Sequence, residues 1–469
     1  MSGSITIPFW LFLLLSTIAI LMLVQRYLFP GIRWFFRKKI NHAIDELNER
    51  LNIKIRPFQL TKRQVLLDRL IHDPKVLDFV HQQSIDDEVP RQVLMEKVQR
   101  YAREIVPAFN AYIYYRLAYW LSKKLAMLLY KVRVKTSTDK FVKQMDPNAT
   151  IVFVMNHRSN MDYILVSFLV SKNMTLSYAV GEWARVWPLQ GLIKSMGAYF
   201  VRRNSRNPLY RRVLERYIAM ATKEGVCQAV FPEGGLSRDG RIRAPKLGFL
   251  DYMLRNYHFE KDRDVIFVPV GINYDRVLED RTLLRSLNPN AESRSNWFSI
   301  KTTFKFWRHN MKLARKHQWK RFGYASVSFS QPISCKEYCE NHGINFSKLE
   351  SNKRFEQVAI FADQLMHEIE KAVPIVPLVL IASILVDLDG QSITGNELKL
   401  KARELIQLIE QKGGQILFPN PDKWVNLEGA LEMLLLRRLV EKEVDEYRVA
   451  PESEAVLDYY RNSIAHWLD

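Results

Sequence analysis

Six short apolar runs recur between residues 148 and 335, at 151–155, 176–180, 198–202, 227–231, 265–272 and 325–330, with helical stretches between them. This alternation constrains the fold more than any other feature of the chain. A strand followed by a helix, repeated, commits a polypeptide to a layered α/β domain in which helices cover a sheet. The expectation is an α/β fold, a layered mixed sheet flanked by helices. The run Ile151-Val152-Phe153-Val154 has no polar alternation and reads as a strand buried on both faces.

That run continues into Met155-Asn156-His157-Arg158-Ser159-Asn160-Met161-Asp162. The strand end releases an imidazole, His157, into a turn, and a carboxylate, Asp162, follows at the start of the next apolar helix. A neutral imidazole accepts a proton from a hydroxyl near pH 7. A nearby carboxylate fixes its tautomer and stabilises the cation that forms. If the substrate supplies the attacking hydroxyl, no seryl or cysteinyl nucleophile is required. The same spacing also arises from a structural histidine at a strand end and an aspartate at a helix N-terminus, and the pair alone does not separate the two.

Three later segments add chemistry. Gly197-Ala198-Tyr199-Phe200-Val201-Arg202-Arg203 is a short strand ending in two guanidiniums, whose planar forks suit phosphate oxygens. Arg202 falls at a strand end, where a doubly wound sheet places its ligands. Arg206, Arg211, Arg212 and Arg216 follow on an expected helix and read as a solvated basic face. The run Ala229 to Arg241 enters a turn with Glu233, Gly234 and Gly235, where paired glycines let backbone N–H groups approach an anion. Ser237, Arg238 and Lys246 add donors and charge, and Glu233 either holds the loop or binds a substrate hydroxyl. The fourth run, Val265 to Tyr274, is interrupted by Pro269, which argues against a central strand. It is expected to line the pocket through shape, and plain core weighs as much as any direct catalytic role.

In this order, the four segments resemble the four motif blocks of the glycerolipid acyltransferase superfamily, and most of all its membrane-bound glycerol-3-phosphate 1-O-acyltransferase and dihydroxyacetone-phosphate acyltransferase subgroup. His157 to Asp162 corresponds to the His-x4-Asp block and Gly197 to Arg203 to the second. Glu233 to Arg238 makes the third, and Val268-Pro269-Val270 the fourth. Pro245-Lys246-Leu247-Gly248 also resembles the subgroup, as does the chain from Val373 onward. Where many members carry a basic residue, this chain has Leu236, which leaves Arg238 or Arg202 to supply that contact. The resemblance implies that His157 is the general base on the acceptor hydroxyl and Asp162 its orienter. It implies phosphate contacts from Arg202, Arg203, Ser237, Arg238 and Lys246, and substrate or loop roles for Arg158, Ser159, Glu233, Gly234 and Gly235. The implied partners are acyl-CoA or acyl-carrier protein as donor and glycerol 3-phosphate as acceptor, with lysophosphatidate as product. Acylation of dihydroxyacetone phosphate or lysophosphatidate is the neighbouring alternative, and transfer is direct, without an acyl-enzyme.

A net charge of +19 points to anionic partners, and no nucleic-acid signature accompanies it. A basic membrane-surface binding protein with a structural His-Asp pair is the competing class, and a non-acyl transferase or phosphatase using His157 as nucleophile a third. The phosphatase would need a metal cluster or paired aspartates, and neither is evident. Cys227, Cys335 and Cys339 make neither a disulfide framework nor a metal site, so no metal or cofactor is expected and a reducing cytosolic setting fits. Ile5 to Val24 is an uncharged apolar run long enough to span a bilayer, with Arg26, Arg33, Arg37, Lys38 and Lys39 behind it. This predicts a single-pass membrane protein, contacting membrane lipids, with the catalytic domain in the cytoplasm (at the inner membrane of a bacterium).

The predicted organisation is a transmembrane helix over 5–24, a helical N-terminal domain over 33–147, the α/β domain over 148–335 and a helical C-terminal region over 336–469. Within it, the aromatic stretch 111–121 is expected to pack on the catalytic domain and touch lipid. The stretch 301–321 reads either as an interfacial helix or as a solvated one. The run 374–388 is expected as a buried helix and 394–448 as a small helical domain.

Overall fold

Strand β2, Thr150–Met155, lies at the centre of an eight-stranded sheet and is buried on every residue. Its apolar run needs no polar face because helices cover both sides. Ile151, Phe153 and Met155 point into one core with helix Pro377–Val386, while Val152 and Val154 point into the other with helices Pro208–Lys223 and Ser351–Ala372. This is the expected layered α/β arrangement. The computed structural model describes residues 8–23, 26, 49, 51–135, 145–181, 189–202, 205–287, 322–418, 420 and 422–468.

The other strands are β1 Lys131–Val134, β3 Ser177–Gly181, β4 Tyr199–Val201, β5 Gln228–Val230, β6 Val265–Tyr274, β7 Tyr324–Phe329 and β8 Ile333–Ser334. Their order is β1-β7-β6-β2-β5-β3-β4, with β8 also against β6. Strands β6, β2, β5, β3 and β4 run parallel, and β6 meets β7 and β8 antiparallel, so the sheet is mixed. Parallel neighbours end at the same edge. The register Val154↔Val230 and Val154↔Pro269 therefore brings the turns after β2 and β5 and the last third of β6 together.

Four expectations are corrected here. Pro269 does not interrupt β6, which is continuous between β2 and β7. The carbonyl of Pro269 accepts from Ser330 N (2.9 Å), so its nitrogen also faces the edge where β7 gives way to β8. A missing N–H costs little where no ladder bond is due. Second, β1 lies within the stretch assigned to helices. It is a four-residue edge strand, and Lys131 and Arg133 conceal its β character. Third, Asn52–Asp469 forms a single compact unit, and the N-terminal helices Arg63–Ile71, Pro74–Asp86 and Arg91–Ile105 share a core with Val152 and Val154 of β2. Fourth, the C-terminal region is not all helical. Strands β9 Ile393–Thr394, β10 Val440–Glu443 and β11 Glu446–Val449 form a small antiparallel sheet alongside helices Gly395–Gln411, Lys423–Leu436 and Glu454–Arg461 of the same region.

Met1–Leu51 forms the other unit. Its described helix, Phe9–Leu23, has 15 residues, a rise of about 22 Å against roughly 30 Å of hydrocarbon. Among the described residues no helix is long and apolar enough to cross a membrane. Ile5–Ile7 and Val24, the ends of the expected span, lie outside them, as do most of the basic flank and the stretch 301–321.

Candidate active site

The chain must leave β2 abruptly for His157 to face the sheet edge. Asn156 arranges this. Its side-chain amide donates to Ile272 O (2.9 Å) and its carbonyl accepts from Ile272 N (2.8 Å), so a side chain continues the ladder with β6 while the backbone turns away. Nothing in the sequence marked Asn156. The His157 N–H then donates to Glu233 Oε1 (2.8 Å), and Ser237 N donates to the His157 carbonyl (2.9 Å). The turn after β5 thus grips the turn after β2 from both sides.

His157 Nδ1 lies 2.9 Å from Asp162 Oδ2. The same oxygen accepts from the backbone N–H of Arg158 (2.8 Å) and Ser159 (3.0 Å), while Oδ1 accepts from the Tyr274 hydroxyl (2.6 Å). A carboxylate taking these donors is an acceptor only, so Nδ1 carries the proton and Nε2 presents a lone pair. Among the described residues Nε2 has no hydrogen-bond partner. The ring is 1% exposed, with Phe231 against its face (centroids 4.0 Å) and Tyr163 edge-on (5.4 Å). It nevertheless lines a cavity of about 610 Å³. A buried imidazole fixed by a carboxylate, with its free nitrogen at a cavity wall, is the geometry of a general base.

The cavity wall is largely apolar, including Phe79, Val201, Leu214, Phe249 and Phe355, with cations spaced along it. Lys246 contributes one. Its stem packs over Gly234, where an added Cβ would lie 2.6 Å from Lys246 Cδ, and Gly234 has φ +68°. Gly234 and Gly235 line the cavity, as expected of the Gly-rich turn. Arg211 and Arg212 also line it, although the charge run read as surface; Arg212 is 2.7 Å from buried Glu215, which also pairs with Arg255 (3.0 Å). Helical periodicity gave the face of these arginines but not the cavity that the face meets.

The remaining expected residues divide differently. Arg202 lines the cavity, but its guanidinium forms two bonds to Glu104 (2.9 and 2.8 Å) and lies over Tyr101 and Tyr210. Arg203 is outside the described residues. Ser237 is buried and spends its hydroxyl on the Arg241 carbonyl (2.7 Å) and the Gly240 N–H (3.0 Å), closing its own loop. Arg238 is exposed and does not line the cavity. Arg158 is buried, donates to Gly240 O (2.6 Å) and stacks on Tyr459 (4.7 Å), away from the cavity. Ser159 Oγ donates to Glu279 Oε2 (2.8 Å), and Asn160 reaches Glu279 Oε1 through its side chain (3.1 Å).

Glu233 holds the loop. Besides His157 N, it accepts from Arg243 N (3.2 Å), and it does not line the cavity. Burial pushes its carboxyl up to about 7, against the pull of those two N–H donors. Burial likewise raises Glu279, and it holds the Tyr274 phenol well above the usual range, with the neighbouring Asp162 charge adding to it. Among the described residues no group of His, Cys, Asp and Glu is arranged to hold a metal ion.

With this geometry in place, the likenesses to known proteins fall on the same residues. Residues 131–273 match the family model described as Acyltransferase, and residues 309–468 match the one described as Glycerol-3-phosphate acyltransferase C-terminal region. Similar proteins include the glycerol-3-phosphate acyltransferase of Pasteurella multocida (strain Pm70), 26% identical over 432 residues, which cover 87% of this chain and 50% of that protein. That of Aeromonas hydrophila subsp. hydrophila is 27% identical over 431 residues, with the same two coverages. That of Pseudomonas entomophila (strain L48) is 27% identical over 421 residues, 87% of this chain and 49% of its own. The chain spans about half the length of the curated relatives it matches. One polypeptide thus carries a match to the Acyltransferase model, which includes the His-x4-Asp turn at the sheet edge, followed by a match to the glycerol-3-phosphate acyltransferase C-terminal region.

Proposed function

We propose that the protein transfers a fatty acyl group from a thioester, acyl-CoA or acyl-carrier protein, to the sn-1 hydroxyl of glycerol 3-phosphate, giving lysophosphatidate. The observation that carries this reading is His157, whose ring lines a largely apolar cavity, whose Nδ1 is held by Asp162 and whose Nε2 has no partner among the described residues. The names of the relatives supply the acceptor. Nε2 takes the hydroxyl proton as the oxygen attacks the thioester carbonyl. The carbon–sulfur bond breaks, and the thiolate leaves with a proton. General-base assistance of this kind contributes about 10²–10⁴-fold. Lys246 and Arg211, which line the cavity, are the cations available to the phosphate groups of acceptor and donor, whereas Arg212 there is paired with Glu215.

The reading extends to location. The uncharged apolar N-terminal run would hold the protein at a membrane, with its basic flank and the catalytic unit on the cytoplasmic side. The exposed Phe9, Trp10, Phe12 and Leu13 of the N-terminal helix support this, as do Leu117, Trp120 and Leu121, exposed beside Lys123 and Lys124.

The test is purified protein in detergent with labelled acyl-CoA or acyl-carrier protein and each phosphorylated acceptor in turn. Wild type should release thiol and form labelled lysophosphatidate with glycerol 3-phosphate. His157→Ala should lose at least 10²-fold in turnover while its thermal unfolding is unchanged. Near-normal turnover in that variant would refute the assignment.

A further inference from the structure

Tyr274 is the last residue of β6, and its hydroxyl donates to Asp162. The two residues are 112 positions apart in sequence and 2.6 Å apart in space. Tyr274 is fully buried and does not line the cavity, so it touches no substrate. Its own orientation is fixed. Tyr130 packs against its ring (centroids 5.1 Å), and the Tyr130 hydroxyl is itself tied to the Arg276 carbonyl (2.8 Å). The backbone of Tyr274 is held by the Asn273 side chain (3.0 Å).

We propose that Tyr274 is a positioning residue of the acyl transfer, acting through Asp162 to set how strongly the carboxylate holds the protonated form of His157. The inference rests on the general-base reading above. Asp162 Oδ2 already serves three donors, His157 Nδ1 and the N–H groups of Arg158 and Ser159, and these fix that oxygen in place. Among the described residues, the donor to Oδ1 is the Tyr274 hydroxyl. The hydroxyl therefore does two things. It fixes the carboxylate plane, so that Oδ2 stays in line with Nδ1. It also withdraws charge from the carboxylate, so that the imidazolium is not held so tightly that the base is spent before the substrate arrives. The other ionisable groups around this pair are Tyr130, Arg158, Tyr163, Glu233, Glu279 and Tyr459, and all of them are common to the proteins compared when only the Tyr274 hydroxyl is changed.

The experiment compares full-length wild type with Tyr274→Phe and with 3-fluorotyrosine at position 274, a stronger donor of nearly the same shape. Each is assayed for kcat and KM from pH 5 to 9, with thermal unfolding as a control. Phe should lower kcat about tenfold, the scale of one lost hydrogen bond to an ionised group, and leave both KM values within about twofold. It should also move the acidic limb of the kcat/KM profile to higher pH, because a carboxylate lacking that donor holds the imidazolium more tightly. Fluorotyrosine should move the same limb to lower pH. Limbs that coincide in all three proteins, or that move together in one direction, would overturn the proposal, since a packing role has no reason to follow donor strength. If wild type itself consumes no thioester, the functional reading fails; if wild type is active and the limbs do not respond, the role of Tyr274 alone fails.

Discussion

Replacing Glu233 with glutamine tests whether this carboxyl is a scaffold or a ligand, and it does so through pH. The side chain is buried, its two oxygens take one backbone N–H each, from His157 and Arg243, and burial lifts it from 4.5 to about 7. A raised carboxyl is one whose ionised form the native state resists. Its stabilising contribution is therefore complete below about pH 4.5 and is lost as the pH rises to about 7. At roughly 1.4 kcal/mol for each pH unit, the whole loss is about 3 kcal/mol, and about 2.5 kcal/mol of it falls between pH 5 and pH 8. Glutamine does not titrate, so it escapes this loss. Its NH2 group must instead face one of the two N–H donors, a cost of about 1–3 kcal/mol at every pH. At pH 5 the variant should thus be less stable than wild type, and by pH 8 the gap should have closed or reversed. Urea midpoints of both proteins at pH 5, 6, 7 and 8 measure this directly, since every other titrating group is common to the two. Parallel curves would refute the argument, because they would mean that Glu233 is ionised without penalty and is free to face a ligand.

Two further substitutions separate scaffold from cavity. Gly240 has φ +92°, and a Cβ there would lie 1.9 Å from the Tyr459 carbonyl oxygen, so Gly240→Ala should cost about 3 kcal/mol or more, read as a fall of several degrees in Tm together with lost turnover. Lys246→Ala should raise KM for the phosphorylated acceptor about tenfold or more at unchanged Tm, whereas Arg238→Ala, exposed and outside the cavity, should leave that KM within about twofold; initial rates against acceptor concentration decide both.

The strand ends were legible because parallel strands covered on both faces leave unbroken apolar runs, and the polar residues after them must then fall at one edge. His157 and Asp162 were legible because five residues suffice to turn from strand into helix. The partners that give these residues their states were not. Tyr274 and Glu279 lie more than 110 residues beyond the turn they hold, and Glu104, which engages Arg202, lies 98 residues before it. An arginine at a strand end is a phosphate ligand or a brace according to whether a carboxylate is nearby, and sequence spacing says nothing of that distance. The β10–β11 hairpin escaped for a local reason. Glu441, Lys442 and Glu443 carry its charge on a half-exposed sheet, and little apolar alternation remains to be read.

The arrangement also explains why the C-terminal region belongs with the sheet. The segment from Glu454 to Ile464 touches three of the four motif turns. Arg158 stacks on Tyr459, Asn462 Nδ2 donates to Asp239 O (2.9 Å), Ser463 bonds the Asn273 side chain (3.1 Å), and the Tyr460 hydroxyl accepts from Val277 N (3.1 Å). These turns lie beyond the regular ladder, so their relative positions rest on the Asn156, Glu233 and Ser237 bonds between them and on what packs behind. A base needs its proton-accepting nitrogen held to within a fraction of an ångström of the reacting hydroxyl. Loops alone do not hold that tolerance, but loops tied to one helix do. The cations follow the same division. Arg158 and Arg202 bind the scaffold to itself, whereas Lys246 and Arg211 line the cavity and, among the described residues, form no ion pair.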